Sequence, residues 1–459
     1  MLRDRYETDK FFEAILEIAI EIEPILIKLD KILDDEEIYR LIRTDFSHRY
    51  EQTTQTGRNS TPVEVVLRML AVKHLYNLSY EKTEQQVKDS LALRWFCRVY
   101  FEAVPDDTTL IKWANQVQPE TLKAFNNRLT HLAVEVKVSK GRKLRTDGTV
   151  VESNIQSPRD SQLLVDSVRV LGRTLSRAKE IVGEQGELVK ETFRNRIRSA
   201  RKLGRRISYQ LGKRTEAAKE AGRQAYKCLI KTVQTTLKQA QQVTDALKQE
   251  TSQPAQRLQE SLDTFIPRVQ QVIDQATRRV LHQEKVPASA KIVSIFEPHT
   301  DIICRNKTNK PVEYGHKVWL DEVEGGLVTD FRLLDGNPSD DTQWQPALDH
   351  HCQLFGRPPD QASADRGVHS ADNERLADEL GVKRIILPKP GYKSQHRKQH
   401  EKLPWFKRGR RWHNGVEGRI SVLKRKYDMG RCLYHGQDGF QRWVGWAVIA
   451  NNCHIIASH

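Results

Sequence analysis

The chain has 459 residues, a hydrophobic share of 38%, a formal charge of +15 and a sequence pI of about 9.4. That length supports a sizeable core and, as a soft prior, roughly two to four domains; the charge speaks of partners rather than of fold and points to a polyanion, nucleic acid above all. The stretch Ile15 to Leu33 cannot span a bilayer, being broken by Glu17, Glu21, Glu23, Lys28 and Asp30, and neither a secreted disulfide scaffold nor a zinc ribbon is expected, since Met1 leads into a charged run and Cys97, Cys228, Cys304, Cys352, Cys432 and Cys453 are scattered without a C-x-x-C pair.

A reducing, cytoplasmic setting beside the nucleoid is the expectation, with free thiols. Residues 1–135 predict a helical domain. Ile15, Ile18, Ile22 and Leu26 share a helix face. Thr61 is placed to cap a helix with Pro62 at its first position and Glu64 in its first turn. Val63, Val66, Leu67, Leu70 and Ala71 form its apolar stripe. Short capped helices here suit a helix-turn-helix-like module in which Arg68, Lys73, Lys82, Lys88 and Arg94 meet phosphates; a plain bundle with a solvated charged face is the alternative.

Residues 140–160 change to β-branched composition around Thr149-Val150-Val151. Residues 161–286 predict a long helical insertion, with Leu164, Val168 and Leu171 starting its apolar face. Within it Arg194, Arg196, Arg198, Arg201, Lys202, Arg205 and Arg206 are too one-sided for balanced pairing. Arg198 and Arg205 are taken as DNA-backbone contacts, with a self-associating coiled-coil hairpin as the competing reading. Strands are expected at Lys291–Phe296, at Gly315–Leu320 and, past a Gly325-Gly326 turn, at Leu327–Leu334. A helix from Thr342 to Leu354 leads to the short strand before Asp365, and a helix from Asn373 to Leu380 leads to a strand at Val382–Leu387. Hairpin-like strands followed by alternating helix and strand predict an α/β fold, a mixed sheet flanked by helices. Residues 140–160 and 287–459 together make that second domain.

Three carboxylates carry the chemistry. Asp147 and Asp365 are each expected at the end of a strand, where side chains project into the ligand crevice of an α/β sheet. Each has a plain turn reading too, since Asp147 precedes Gly148 and Asp365 precedes Arg366-Gly367. Glu417 lies on a helix whose Trp412, Val416, Ile420, Leu423 and Tyr427 should face the core, so Glu417 sits at the edge of the buried face with Ser421 and Lys424 beyond it. A pairing of Glu417 with Lys424 or Arg425 alone is the bland alternative. Oxygen ligands converging from two strands and a helix suit hard divalent cations, and a metal pair clamps both oxygens of an in-line phosphoryl displacement. Between Asp365 and Glu417, Lys389, Lys393, Arg397, Trp405, Arg408, Arg411 and Trp412 interleave cations with aromatics, which suits phosphates and unpaired bases; Lys424 and Arg425 continue the run. No Walker-type or G-x-G-x-x-G motif is present, so a nucleotide cofactor has no support.

With these motifs in view, the chain resembles the bacterial insertion-sequence DDE transposases, which have a ribonuclease-H-like catalytic core. Gly57-Arg58, Arg94-Trp95-Phe96 and Asp107-Thr108-Thr109-Leu110 look like the helical amino-terminal domain of that group. Asp147 to Ile155, Tyr314-Gly315-His316-Lys317-Val318, Gly336-Asn337-Pro338, Ala364-Asp365-Arg366-Gly367 and Val416-Glu417-Gly418 with Lys424-Arg425 resemble its core segments. The resemblance implies that Asp147, Asp365 and Glu417 hold two Mg2+ (or Mn2+) ions, with Asp147 bridging. It implies that one site cuts the terminal inverted repeats of an element and joins them to target DNA, in a homodimer at synapsis. Some relatives carry tyrosine and arginine where this chain has Arg410 and His413. A metal-dependent nuclease or resolvase without strand transfer, and a non-catalytic DNA-binding regulator, are the alternatives; joining of a pre-cut end and metal-dependent nicking discriminate them.

Overall fold

The computed structural model describes residues 1–19, 21–49, 52, 57–182, 190–304 and 310–459. The chain opens with helices α1 (Lys10–Ala19), α2 (Pro24–Leu33), α3 (Glu36–Ser47), α4 (Val63–Leu75), α5 (Tyr80–Asp89), α6 (Leu91–Phe96), α7 (Asp107–Ala114) and α8 (Pro119–Glu135). Helix α4 starts one residue later than the Thr61 cap predicts. Pro62, whose ring can accept no bond, takes the cap position, and the first free amides are met from elsewhere: Val63 N–H donates to Arg3 O at 2.9 Å and Glu64 N–H to Asp4 O at 3.2 Å. Every residue from Val63 to His74 is buried, so α4 is a core helix, apolar almost all round. Its one arginine, Arg68, is fully buried and donates to Asp30 at 2.6 Å and Glu64 at 3.2 Å, and also to Asp34. That closes it to phosphates. Lys73 is likewise buried, its Nζ 4.8 Å from the Tyr80 ring centre, and Arg94 donates to the Tyr100 and Glu102 carbonyls.

Strand β1 (Lys143–Ser153) follows, then the long helices α9 (Asp160–Val182), α10 (Ile197–Leu211), α11 (Glu216–Leu247) and α12 (Gln253–Ala276), and strand β2 (Asp301–Cys304). Next come β3 (Val312–Val323), β4 (Val328–Leu334), α13 (Trp344–Phe355), β5 (Gln361–Ser363), α14 (Ala371–Glu379), β6 (Arg384–Ile386), α15 (Gln395–Lys402), α16 (Pro404–His413), α17 (Gly415–Lys426), β7 (Arg431–Cys432) and α18 (Gly436–Ala457). These fall into two compact units, residues 1–154 with 316–459, and residues 155–315.

In the first unit β1 is central. It runs parallel to β5 over Lys143–Arg145 and to β7 at Glu152–Ser153, and β6 pairs with β5 in the same direction. On its other side lies β3, which forms an antiparallel hairpin with β4. The order β4-β3-β1-β5-β6 is a mixed sheet, as the strand pattern predicts. The Gly325-Gly326 turn holds too: φ is +86° and +83°, which glycine adopts without steric penalty. Helices α2 to α8 and α18 share one hydrophobic core with this sheet, while Phe12 and Leu16 of α1 pack in a separate cluster with Tyr100.

In the second unit α9 to α12 bury one apolar cluster, from Leu163 through Val233 to Ile273. Here the reading of Lys291–Phe296 as a strand is corrected: the segment is irregular. Ile292, Val293 and Ile295 are buried as expected, but their backbone is satisfied by side chains. Gln275 accepts from Ile292 N–H at 3.0 Å and donates to its carbonyl at 3.2 Å, and Arg268 donates to Ile295 O at 2.8 Å. A β-rich apolar run needs burial and backbone partners, and a helix amide supplied the latter.

Candidate active site and basic surfaces

Asp147 does not end its strand. β1 continues through Gly148 to Ser153, so the Asp-Gly step is no turn. Gly148 is there for closeness: a Cβ would lie 3.0 Å from the Trp319 ring and 3.3 Å from Lys317 Cε. The Gly148 amide donates to Asp147 Oδ1 at 2.7 Å. Asp365 does follow its strand, two residues after β5 ends at Ser363.

These two aspartates come together. Burial and then the Asp365 charge push the Asp147 carboxyl up to about 6, Asp340 pushes the same way, and the Gly148 amide and His413 pull it back. Asp365 is exposed, and His413 Nε2 stands 3.4 Å from its Oδ1, holding that carboxyl below the usual range. His413 itself is buried. Asp340 thus belongs to this neighbourhood; a Cβ on Gly367 would lie 3.0 Å from its Oδ2, and Lys317 Nζ is 2.5 Å from its Oδ1.

Glu417 is in the first turn of α17 and exposed. The junction residue Asn414 has right-handed helical angles, φ −55° and ψ −22°. Glu417 therefore follows His413 by one helical turn, on the path that leads to Asp365. Four of the five residues of the predicted stripe face the core, Val416, Leu423 and Tyr427 buried and Ile420 packed against it, whereas Trp412 ends up half-buried on the preceding helix. Among the described residues no group of three or more His, Cys, Asp or Glu side chains is placed to hold a metal ion. Of the three expected carboxylates, Asp147 and Asp365 act on each other, and Glu417 stands one helical turn beyond His413. The donor chemistry nevertheless fits a hard divalent cation, because paired carboxylate oxygens of like charge, one half-buried, are short of positive charge.

The basic segment behind this site is not uniformly outward. Glu401 is buried and accepts from Lys393 Nζ at 2.5 Å, Arg397 Nε at 3.0 Å and the Lys389 amide at 3.0 Å. Arg397 also donates to Glu374 at 2.6 Å and to Leu387 O. Lys424 donates to the Val150 carbonyl of β1 at 2.7 Å. Trp412 lies under the Arg145 guanidinium, 4.8 Å from ring centre to Cζ, and Trp405 packs edge-on against His400 and Phe406 at 5.4 and 5.6 Å. Lys393, Arg397, Lys424 and Trp412 therefore have internal work that their spacing did not reveal. Arg408, Arg411 and Arg425 are exposed, and the Lys389 side chain is half-buried.

In the helical unit α10 crosses α9 closely: a Cβ on Gly204 would lie 2.8 Å from Val165 Cγ2. Beside that contact is an open groove of about 390 Å³ lined by Arg159, Arg169, Arg201 and Arg205 with Ser161 and Asp166. Asp166 pairs with Arg169 at 2.9 Å, so the lining carries four guanidiniums and one carboxylate. Arg201 and Arg205 are exposed, as is Arg198 one turn before Arg201 on the same helix.

No helix among the described residues is long and apolar enough to cross a membrane. No curated protein and no solved structure matches this chain. Two family models do: residues 15–116 match "Transposase domain (DUF772)", and residues 322–453 match "Transposase DDE domain". The second match contains Asp365 and Glu417 and begins after Asp147.

Proposed function

Since the chain belongs to the insertion-sequence DDE transposases, with the ribonuclease-H-like core of that family, we propose that it cuts the ends of its element and joins them to target DNA at a site built from Asp147, Asp365 and Glu417. The observation that carries this reading is the pair of aspartates at neighbouring parallel strands, Asp147 within β1 and Asp365 just past β5, the first pushed up to about 6 by burial and by the second. Asp147, Asp365 and Glu417 would hold two divalent ions, Mg2+ or Mn2+. When bound, such ions activate water or a 3′-hydroxyl for attack and neutralise charge on the leaving oxygen.

The chain's own residues prepare this. Asp147 and Asp365 keep negative charge in one place, and His413 holds Asp365 in its ionised form. Arg408, Arg411 and Arg425 with Lys389 bind phosphates of the cleaved strand, and Trp405 offers an aromatic edge to an unstacked base. The arginine groove of the helical unit, with Arg198 beside it, takes a stretch of duplex backbone. Two ends processed together call for a homodimer at synapsis.

The test is a supercoiled or end-labelled substrate carrying the element's terminal repeats. Asp147→Asn, Asp365→Asn and Glu417→Ala should each abolish Mg2+-dependent nicking while terminal-repeat binding persists. Joining of a pre-cut end by the wild type separates transposition from hydrolysis alone. A Glu417→Ala protein that nicks at the normal rate removes Glu417 from the site.

A further inference from the structure

Glu322 is fully buried at the inner end of β3. Two arginines from different elements hold its carboxylate. Arg145 of β1 donates from Nε to Oε2 at 2.8 Å and from Nη2 to Oε1 at 2.6 Å. Arg419 of α17 brings Nε to 3.5 Å from Oε1 and donates from Nη1 to Asn451 of α18 at 2.9 Å. Arg145 has a further donor to spare, and its Nη1 bonds the main-chain carbonyl of Trp412. The surrounding backbone is cut away for these groups. A Cβ on Gly415 would fall 2.4 Å from Arg145 Nη1, and one on Gly326 would fall 1.9 Å from Arg419 Nη2.

Consider what this joins. Arg145 precedes Asp147 by two positions on one strand, so both side chains leave the same face. Trp412 immediately precedes His413, the residue on Asp365. Arg419 follows Glu417 by two positions. Through two guanidiniums, one buried carboxylate reaches the strand of Asp147, the helix of Glu417 and, by way of the Trp412 carbonyl, the helix whose His413 faces Asp365. Its neighbour Asp321 adds a parallel tie, accepting from Thr146 Oγ1 at 2.5 Å beside Arg332 at 3.2 Å. Buried ion pairs add little net stability over apolar side chains of equal volume. What a guanidinium supplies here is direction, since its donors are fixed in a plane.

We propose that Glu322 is a positioning residue, which with Arg145 and Arg419 sets how closely the strand of Asp147 and the helix of Glu417 approach, and hence how well the site takes a divalent ion. The proposal rests on the ligand assignment above. The experiment is Mn2+ binding to the full chain without DNA, followed by electron paramagnetic resonance, on Gly415→Ala. The added methyl displaces Arg145 Nη1 from Trp412 without removing any charge. Mn2+ affinity is expected to fall about tenfold, the usual scale for loss of a group that orients ligands, with circular dichroism and DNA affinity as in the wild type and nicking partly regained at raised Mg2+. Arg145→Lys, which keeps the charge beside Glu322 but lacks the fork for Trp412, should move affinity the same way, and it decides the matter should Gly415→Ala not fold. A folded variant that binds Mn2+ within about twofold of the wild type overturns the proposal. Asp147→Asn in the same titration isolates the underlying assignment: unchanged Mn2+ binding there means the ligands were misassigned, whatever the hub does.

Discussion

Two stretches of this chain look alike on paper, Arg194 to Arg206 and Lys389 to Lys426, both crowded with cations. Folded, they part company. Most of the first lies on α10, a helix whose buried side is Ala200 and Ile207; there Arg198, Arg201, Arg205 and Arg206 are exposed, with Arg201 and Arg205 lining the groove shared with α9, while Arg196 just before the helix donates to Gln239 at 2.7 Å. The second supplies its own anion: Glu401 collects Lys393 and Arg397, and β1 offers a carbonyl to Lys424. A basic run is a surface for polyanions only where the fold brings no buried carboxylate or carbonyl to it. Charge counted along a sequence is therefore an upper bound on charge available to DNA.

That contrast is broken most severely at Glu401. Glu401→Ala leaves two cations in a largely buried place without their acceptor and should destabilise the chain by about 3–5 kcal/mol, measured by urea unfolding at pH 7. Burial works to raise the Glu401 carboxyl, but Lys393, the Lys389 amide and Arg397 outweigh it and hold it at about 2, against the ordinary 4.5. Its contribution is thus complete above 4.5 and lost as pH falls towards 2, so the gap between wild type and variant should close across that window. A gap independent of pH would mean that Glu401 acts by packing alone.

Asp147 should behave in the opposite sense. Its carboxyl titrates near 6 in the folded chain against an ordinary 3.8, so the folded state binds more protons between those values and loses stability as pH rises through them. Metal-free Asp147→Asn should therefore be more stable than the wild type at pH 7, by roughly 1–3 kcal/mol, and no more stable below 3.8. Equal melting curves at both ends of the range would contradict the repulsion between Asp147 and Asp365.

The outward cations should show little in stability and more in binding. Arg201→Gln with Arg205→Gln should flatten the salt dependence of duplex binding by about two in log–log slope, since each phosphate contact contributes about 0.9. Arg198→Gln should lower that slope by just under one, with unfolding free energy within about 0.5 kcal/mol of the wild type. An unchanged slope in the double variant would show that the groove does not meet DNA.

Much of the architecture was legible locally. The hairpin at Gly325-Gly326, the short strands before Asp365 and at Arg384–Ile386, and the Val416, Leu423 and Tyr427 stripe follow from periodicities of two and of 3.6. Where reading failed, a distant group had taken over a local role. Gln275 gave Ile292 the backbone partner that a neighbouring strand would have given. The carbonyls of Arg3 and Asp4 replaced the cap expected of Thr61. At the candidate site, Asp147 and Asp365 stood out by their place at apolar strands, whereas the parts of Asp340 and His413 depend on what faces them.

By itself, then, the amino-acid sequence determined the succession of helices and strands, the apolar faces and the overall positive charge, because each is written in residues only a few positions apart. Only the tertiary structure decided which cations stay in water, and that Glu322 meets Arg145 from 177 positions away and Arg419 from 97. A long-range ion pair leaves no mark on local periodicity: either partner alone reads as a surface charge until the fold removes its water and supplies the other.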